Sequence, residues 1–197
     1  MSGAASMVRS SGIDGEIGFN VSDAIRALSG TPYAEGFASG SLDDPFLDYY
    51  APAPAGGERK TLERCAYTRR GFLELACRCA HALRARGVAS ARDAAAHWFT
   101  GNAVEDLAAR LAAVILRTTL VTINWQGDSA ERVAYKVQAT SAKVLLVDSG
   151  VPADELAKVL ELLGAGVQLL RATEIASFAP ALPPSEPASE PSGRGTL

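Results

Sequence analysis

An α/β fold, with alternating helices and largely parallel strands, is what this sequence predicts, and three observations carry it. From residue 67 to residue 149 helical and strand periodicities alternate: YTRRGFLELACRCAHALRARGV, then DAAAHWFTGNAVEDLAARLAAVIL, then VTINWQGDSAERVAYKVQATSAKVLLVDS. Residues 118–124, TTLVTIN, are β-branched and bounded by polar residues, which marks a strand. Residues 143–147, KVLLV, are apolar after the lysine, the pattern of a strand with helices on both faces of its sheet. Strands separated by helices of ten or more residues need crossover connections, and crossovers make parallel pairs.

Each element can be justified in turn. Residues 1–60 are rich in Gly, Ser, Asp and Pro and end in APAPAGGERK, so they read as a loosely structured N-terminal segment with one short helix. That helix covers 20–28, with Ser22 as its N-cap and Val21, Ile25 and Leu28 on one face. Phe46, Leu47, Tyr49 and Tyr50 are placed to dock the segment on the main body. The α/β core spans 61–176. Thr68 caps a helix to Arg86 that buries Phe72, Leu75, Ala76, Cys79, Ala82 and Leu83, and Gly87 supplies its left-handed terminus. A strand follows within 93–100, although alanine at 94–96 is a poor β-former. The next helix, 104–116, carries the stripe Leu107, Leu111, Val114 and Ile115. Asp128 or Ser129 caps a third helix through Ala139 that buries Val133, Ala134 and Val137. A fourth helix, 152–163, and a fourth strand, 167–170, complete the alternation, with Pro152 where a first-turn proline does no harm. Residues 177–197 hold five of the ten prolines and too few apolar side chains to offset the cost of ordering them, so a disordered tail is expected there.

Composition excludes several classes of function. The net charge of −3 offers no basic footprint for nucleic acid, and the basic run Arg84 and Arg86 sits at a helix end. The longest apolar stretch, 107–116, is broken by Arg110 and is too short to cross a bilayer. Residues 1–16 lack the architecture of a signal peptide, and the three cysteines cannot all pair within the chain. A cytoplasmic protein with no membrane span is the expectation.

No constellation earns a catalytic, cofactor-binding or metal-binding assignment. Neither G-x-G-x-x-G nor G-x-x-x-x-G-K-[ST] occurs. Asp148, at a strand's C-terminal end, stands where dinucleotide folds keep a ribose-binding acid, but no glycine turn precedes it and it reads as a turn or cap residue. Cys77, Cys79, His81 and His97 are the one cluster of metal-ligand types. Without convergent spacing they read as a buried Cys79 and an exposed Cys77/His81 pair. Asp43, Asp44 and Asp48 read as a solvated acidic face and not a carboxylate metal site. His97, on an alanine-rich strand, reads as a packed core histidine and not a base, and Trp98 as a packing residue. Trp125 lies just past a strand's C-terminal end, where α/β folds place ligands, and is the best isolated site candidate.

The order of motifs resembles the opening of the large domain of AMP-dependent synthetases and ligases, the acyl-adenylate-forming superfamily that includes acyl-CoA synthetases. The family's opening helix pattern is matched by Tyr67, Thr68, Glu74, Leu75, Ala80, Leu83, Gly87 and Val88. Its next strand and turn are matched by Asp93, Ala94, Asn102 and Glu105. The helix leading to a "P-x-N" strand end resembles residues 107–124, and its "E-x-L-x-Y … A-K-x-L-x-x-D" element is matched by Glu131, Tyr135, Ala142, Lys143, Leu145 and Asp148. The match covers about 85 residues in order. Two departures stand out: Arg117, Thr118 and Thr119 replace a Gly-Ala turn, and Thr122 replaces the proline.

What the resemblance implies is an incomplete N-terminal subdomain of an adenylate-forming enzyme. A full-length relative would use ATP, Mg and CoA to turn a carboxylate into an acyl-adenylate and then a thioester. The family's phosphate loop, adenine motif, ribose-binding acid and catalytic lysine have no counterparts here, so the chain is expected to be inactive alone and none of those roles transfers to a residue. Its partner would be the remainder of a synthetase or another protein chain. The alternative expectation is a non-catalytic α/β protein-interaction module, and a third is a stand-alone nucleotide fold using loops near Trp125 and Asp148.

Overall fold

The computed structural model describes residues 20–52, 62–101 and 103–178. Helix α1 (Val21–Leu28) is capped by the Asn20 side chain, which accepts from the Asp23 amide, two residues earlier than the Ser22 cap expected. A single-turn helix, α2 (Ala34–Ala38), and two antiparallel strands follow, β1 (Pro45–Pro52) and β2 (Leu62–Thr68). The segment expected to hold one short helix therefore also builds a second helix and a strand. One face of the hairpin is partly buried, with Leu47, Tyr49 and Tyr67 against the core, and ion pairs fasten it further. Arg64 forks onto Asp48, Arg69 pairs with Asp44 and Arg70 with Asp43, while Phe37, Phe46 and Phe72 gather in one aromatic cluster. The acidic face read at Asp43, Asp44 and Asp48 is thus a row of arginine partners.

The Thr68 hydroxyl caps α3 (Arg69–Ala85) through the Gly71 amide, and Gly87 adopts φ +84° past its end, both as expected. The central strand β3 (Ala94–Trp98) follows, then α4 (Val104–Leu116), β4 (Thr119–Thr122), α5 (Ala130–Ala139), β5 (Ala142–Val147), α6 (Ala153–Leu163), β6 (Gln168–Arg171) and the short α7 (Ala172–Ile175). Ser129, not Asp128, caps α5. The four later strands form one parallel sheet in the order β4-β3-β5-β6. The chain steps from β3 outward to β4, then passes back across β3 to β5. One crossover hand with two directions of travel puts the connecting helices on opposite faces. Accordingly α4 packs with α3 and α1 over Ala95, Phe99, Val144 and Leu146, whereas α5 and α6 cover Ala96, Trp98, Leu145 and Val147.

The alanines of β3 are buried to the last atom or nearly so. Ala95 faces a second run of small residues on α4, Ala108, Ala109 and Ala112, all at 0% exposure, while Ala94 and Ala96 pack on the α5 and α6 side, so close packing between layers outweighs weak strand propensity. The stripe expected on α4 is partly wrong for the same reason. Leu107 is 43% exposed, and the alanine face points inward instead.

Helix α4 ends on Arg117 at φ +55°, ψ +37°, a left-handed position that favours glycine. This is the turn where the sequence departs from the family pattern. Replacing Arg117 with glycine is expected to raise the unfolding free energy by about 0.5–1 kcal/mol, after the entropy glycine adds to the unfolded chain is deducted. Urea titration of the pair checks it. The tail expected over 177–197 lies outside the described residues beyond Phe178, as does the start of the N-terminal segment, 1–19.

Candidate functional site

In a doubly wound sheet, ligands sit outside the carboxyl ends of the strands where the chain reverses direction. Here that point lies between β3 and β5, and the chain's own residues fill it. The Asp148 carboxylate accepts from the Thr100 amide at 2.8 Å, from the Thr100 hydroxyl at 3.0 Å and from the Gly150 amide at 3.1 Å. A Cβ on Gly150 would lie 2.0 Å from the Thr100 hydroxyl oxygen, so the two turns interlock without spare room. Asp148 is therefore a tie between loops.

Open space lies one strand over. A cleft of about 550 Å³ opens at the carboxyl ends of β3 and β4, with Trp125, 48% exposed, on its wall. The loop that carries Trp125 is held rigid. The Asn124 amide donates to Asp128 Oδ2 at 2.8 Å, the Gln126 amide to Asn124 Oδ1, and Asp128 is clamped by Arg132 and Lys136. Burial alone would raise the Asp128 pKa, yet Lys136 and the Asn124 amide outweigh it and hold the carboxyl below its usual range.

His97 forms the floor of the cleft and is 2% exposed. Its strand register puts it beside Thr122 of β4, and Nε2 lies 2.8 Å from the threonine hydroxyl. On its other side Nδ1 lies 2.6 Å from Oδ1 of Asp106, in the first turn of α4. That second contact is short but bent, outside the geometry of a well-formed hydrogen bond. Arg110, one turn on, grips the other Asp106 oxygen at 3.2 Å. Burial would raise the Asp106 pKa, but the His97 contact and Arg110 prevail and hold it below the usual carboxylate value. The sequence singled out His97 and Trp125 separately, and the fold brings them to one cleft. It gave no role to Asp106 or Arg110 and noted Thr122 only as a departure from the family pattern. The i, i+4 spacing of Asp106 and Arg110 was the one local signal that the two side chains pair.

The cysteine cluster does not converge. Cys77 and Cys79 are both fully buried, which corrects the exposed Cys77 expected, and His97 is committed to Thr122 and Asp106. Among the described residues no group of three or more His, Cys, Asp or Glu is placed to hold a metal ion. Burial pushes both thiols up to about 12. In the native protein a thiol reagent such as Ellman's should therefore react promptly with the half-buried Cys65 and with the other two only after denaturation. Prompt reaction of all three would show that α3 is not packed as described.

With the geometry in view, the relatives of this fold can be stated. The chain shares its fold with a protein described as a long-chain-fatty-acid CoA ligase from Rhodopseudomonas palustris, at 24% identity and a TM-score of 0.51, over 62% of this chain and 32% of that one. Also similar is o-succinylbenzoate CoA synthetase from Bacillus subtilis, solved with its acyl-adenylate intermediate. The identity is 22% and the TM-score 0.48, over 59% of this chain and 28% of that one. An amide bond synthetase from Marinactinospora thermotolerans matches at 21% and 0.48, over 54% and 21% of the two chains. This chain spans a third or less of the length of each. No family model matches it, and no curated protein does. The α/β unit thus shares its fold with part of that CoA ligase, with the strand and helix order that the motifs anticipated.

Proposed function

We propose that the chain is the first subdomain of an adenylate-forming synthetase and supplies scaffold, while carboxylate activation needs a further polypeptide segment that binds the nucleotide. One observation supports this above the rest: on a fold spanning 32% of a CoA ligase, the reversal point of the sheet is closed by the Asp148–Thr100–Gly150 tie. Moving an adenylyl group requires donors and cations aimed at its phosphates. The residues here do not fit Mg-ATP. Asp106, Asp128 and Asp148, the acids at the strand ends, are each engaged by protein donors or cations, and no phosphate-loop sequence accompanies them.

The test is ATP–pyrophosphate exchange with a panel of fatty and aromatic carboxylates. The isolated chain should give none. Exchange should appear once a segment carrying a Lys-terminated Gly/Ser/Thr loop is supplied, whether encoded downstream or by a partner chain. Robust exchange by the isolated chain, or none after completion, overturns the proposal. A second reading, a non-catalytic interaction module, is favoured by the free outer edges of β4 and β6 and by the exposed Tyr135 and Leu162 of α5 and α6. Light scattering distinguishes it, since a lone stable monomer counts against such a module.

A further inference from the structure

The cleft at the carboxyl ends of β3 and β4 holds a grouping the proposed scaffold role does not use. A hydroxyl, an imidazole and a carboxylate follow one another across it: Thr122 Oγ1, 2.8 Å from His97 Nε2, with His97 Nδ1 2.6 Å from Asp106 Oδ1. Nucleophilic sites are recognised by this relation, a hydroxyl within reach of a base that a third group orients, and not by the order of residues in the chain. Burial of a histidine alone would be satisfied by any partner. What goes beyond burial is the division of roles across the cleft. Thr122 lies exposed on an edge strand, His97 is 2% exposed behind it, and Asp106 keeps its charge because Arg110 shares it. The negative carboxylate beside Nδ1 favours the tautomer with its proton there, which leaves the Nε2 lone pair facing the threonine hydroxyl. The same cleft is lined by Arg110, Asn124 and Gln126, whose side chains carry N–H groups beyond the backbone amides committed within the loop, and by the aromatic surface of Trp125.

We propose that Thr122, His97 and Asp106 form a nucleophilic acyl-transfer site that accepts small activated esters or thioesters in this cleft. Thr122 Oγ1 attacks the carbonyl carbon while its proton passes to His97 Nε2, and the carbonyl oxygen takes the negative charge opposite the donors of the cleft wall. The intermediate collapses by breaking the bond to the leaving oxygen or sulfur, which receives the proton from Nε2, and an acyl-threonine remains. Water then adds to that ester and gives a proton to Nε2. The threonine oxygen leaves, recovers the proton and releases the free acid. No oxidant or metal enters the balance. Asp106 touches no reacting atom and is a positioning residue. Its contact with Nδ1 is bent, and catalytic hydrogen bonds of this kind often tighten only in the complex with substrate.

The experiment uses p-nitrophenyl acetate with the full chain. A burst of p-nitrophenolate approaching one equivalent is expected, together with one acetyl group mapped to Thr122 by peptide mass spectrometry. Thr122→Ala and Thr122→Val, on an exposed position, should abolish the burst and slow turnover by about 100-fold, while Thr122→Ser preserves it. Asp106→Asn should lower kcat with KM nearly unchanged, and Asp106→Glu should recover part of the loss. If His97→Gln fails to fold, the acetyl map of the unaltered chain still decides. Acetyl found only on lysines or His81, or an undiminished rate in Thr122→Ala, overturns the proposal.

Discussion

Replacing Leu145 with alanine is expected to cost about 2–5 kcal/mol of unfolding free energy, a large share of the roughly 5–15 kcal/mol that holds an ordinary domain folded. Leu145 is wholly buried in β5, faces Ala96 and Leu169 in the neighbouring strands, and lies under α5 and α6 with Val133 and Val159. Truncation removes the transfer energy of the side chain and leaves a cavity, since three layers meet there and none can collapse without moving the others. Leu107→Ala, on the exposed side of α4, should cost less than about 1 kcal/mol. Urea unfolding of both variants checks the contrast. Equal losses would mean that α4 is turned so that its leucine stripe, not its alanine face, meets the sheet.

Asp93→Ala is the second large effect expected, about 2–3 kcal/mol at neutral pH. The carboxylate accepts from the Ala89 amide at 2.9 Å, the Ser90 amide at 2.8 Å and the Ser90 hydroxyl at 3.0 Å, and pairs with Lys143 at 2.5 Å. It closes the turn between α3 and β3 and ties that turn to β5. The Asp93 backbone carbonyl also receives the Thr119 amide and the Thr118 hydroxyl, so the same residue sets the start of β4. The Lys143 contact, followed by the Ala89 amide, holds its carboxyl well below the usual carboxylate range. The folded chain therefore binds this proton more weakly than the unfolded chain. The stabilisation is complete above the unfolded value of about 3.9 and is lost as pH falls through the lower folded one. Wild type and Asp93→Ala should consequently differ most at pH 7 and converge in strong acid. A gap that holds steady down to pH 2 would place the effect in packing and not in charge.

Much of this architecture was legible because its signals are local. Thr68 and Ser129 cap through amides three residues on, Gly87 takes the left-handed position, and the apolar run 144–147 is buried on both faces. The hairpin was not legible. Pro45 and Pro52 bracket β1, and its run Phe46-Leu47-Asp48-Tyr49-Tyr50 sets apolar and aromatic residues next to one another, so the partial burial of Leu47 and Tyr49 between exposed neighbours leaves no clear alternation in the sequence. Its anchors, Asp48–Arg64 and the three phenylalanines, are contacts between segments far apart in the chain. The cleft shows the same limit. His97 meets Thr122 because parallel register makes them neighbours 25 residues apart, and it meets Asp106 because α4 returns over its own strand. Periodicity weighs large side chains, which is why Leu107 was favoured over the alanines that let α4 approach the sheet.

The most direct single measurement is calorimetric titration of the isolated chain with Mg-ATP up to roughly 1 mM. With the Asp148–Thr100–Gly150 tie closing the sheet's reversal point, heats indistinguishable from dilution are expected. A saturable isotherm near one site per chain, with dissociation at about 100 μM or tighter, would contradict the reading of this unit as a scaffold without its own nucleotide cradle.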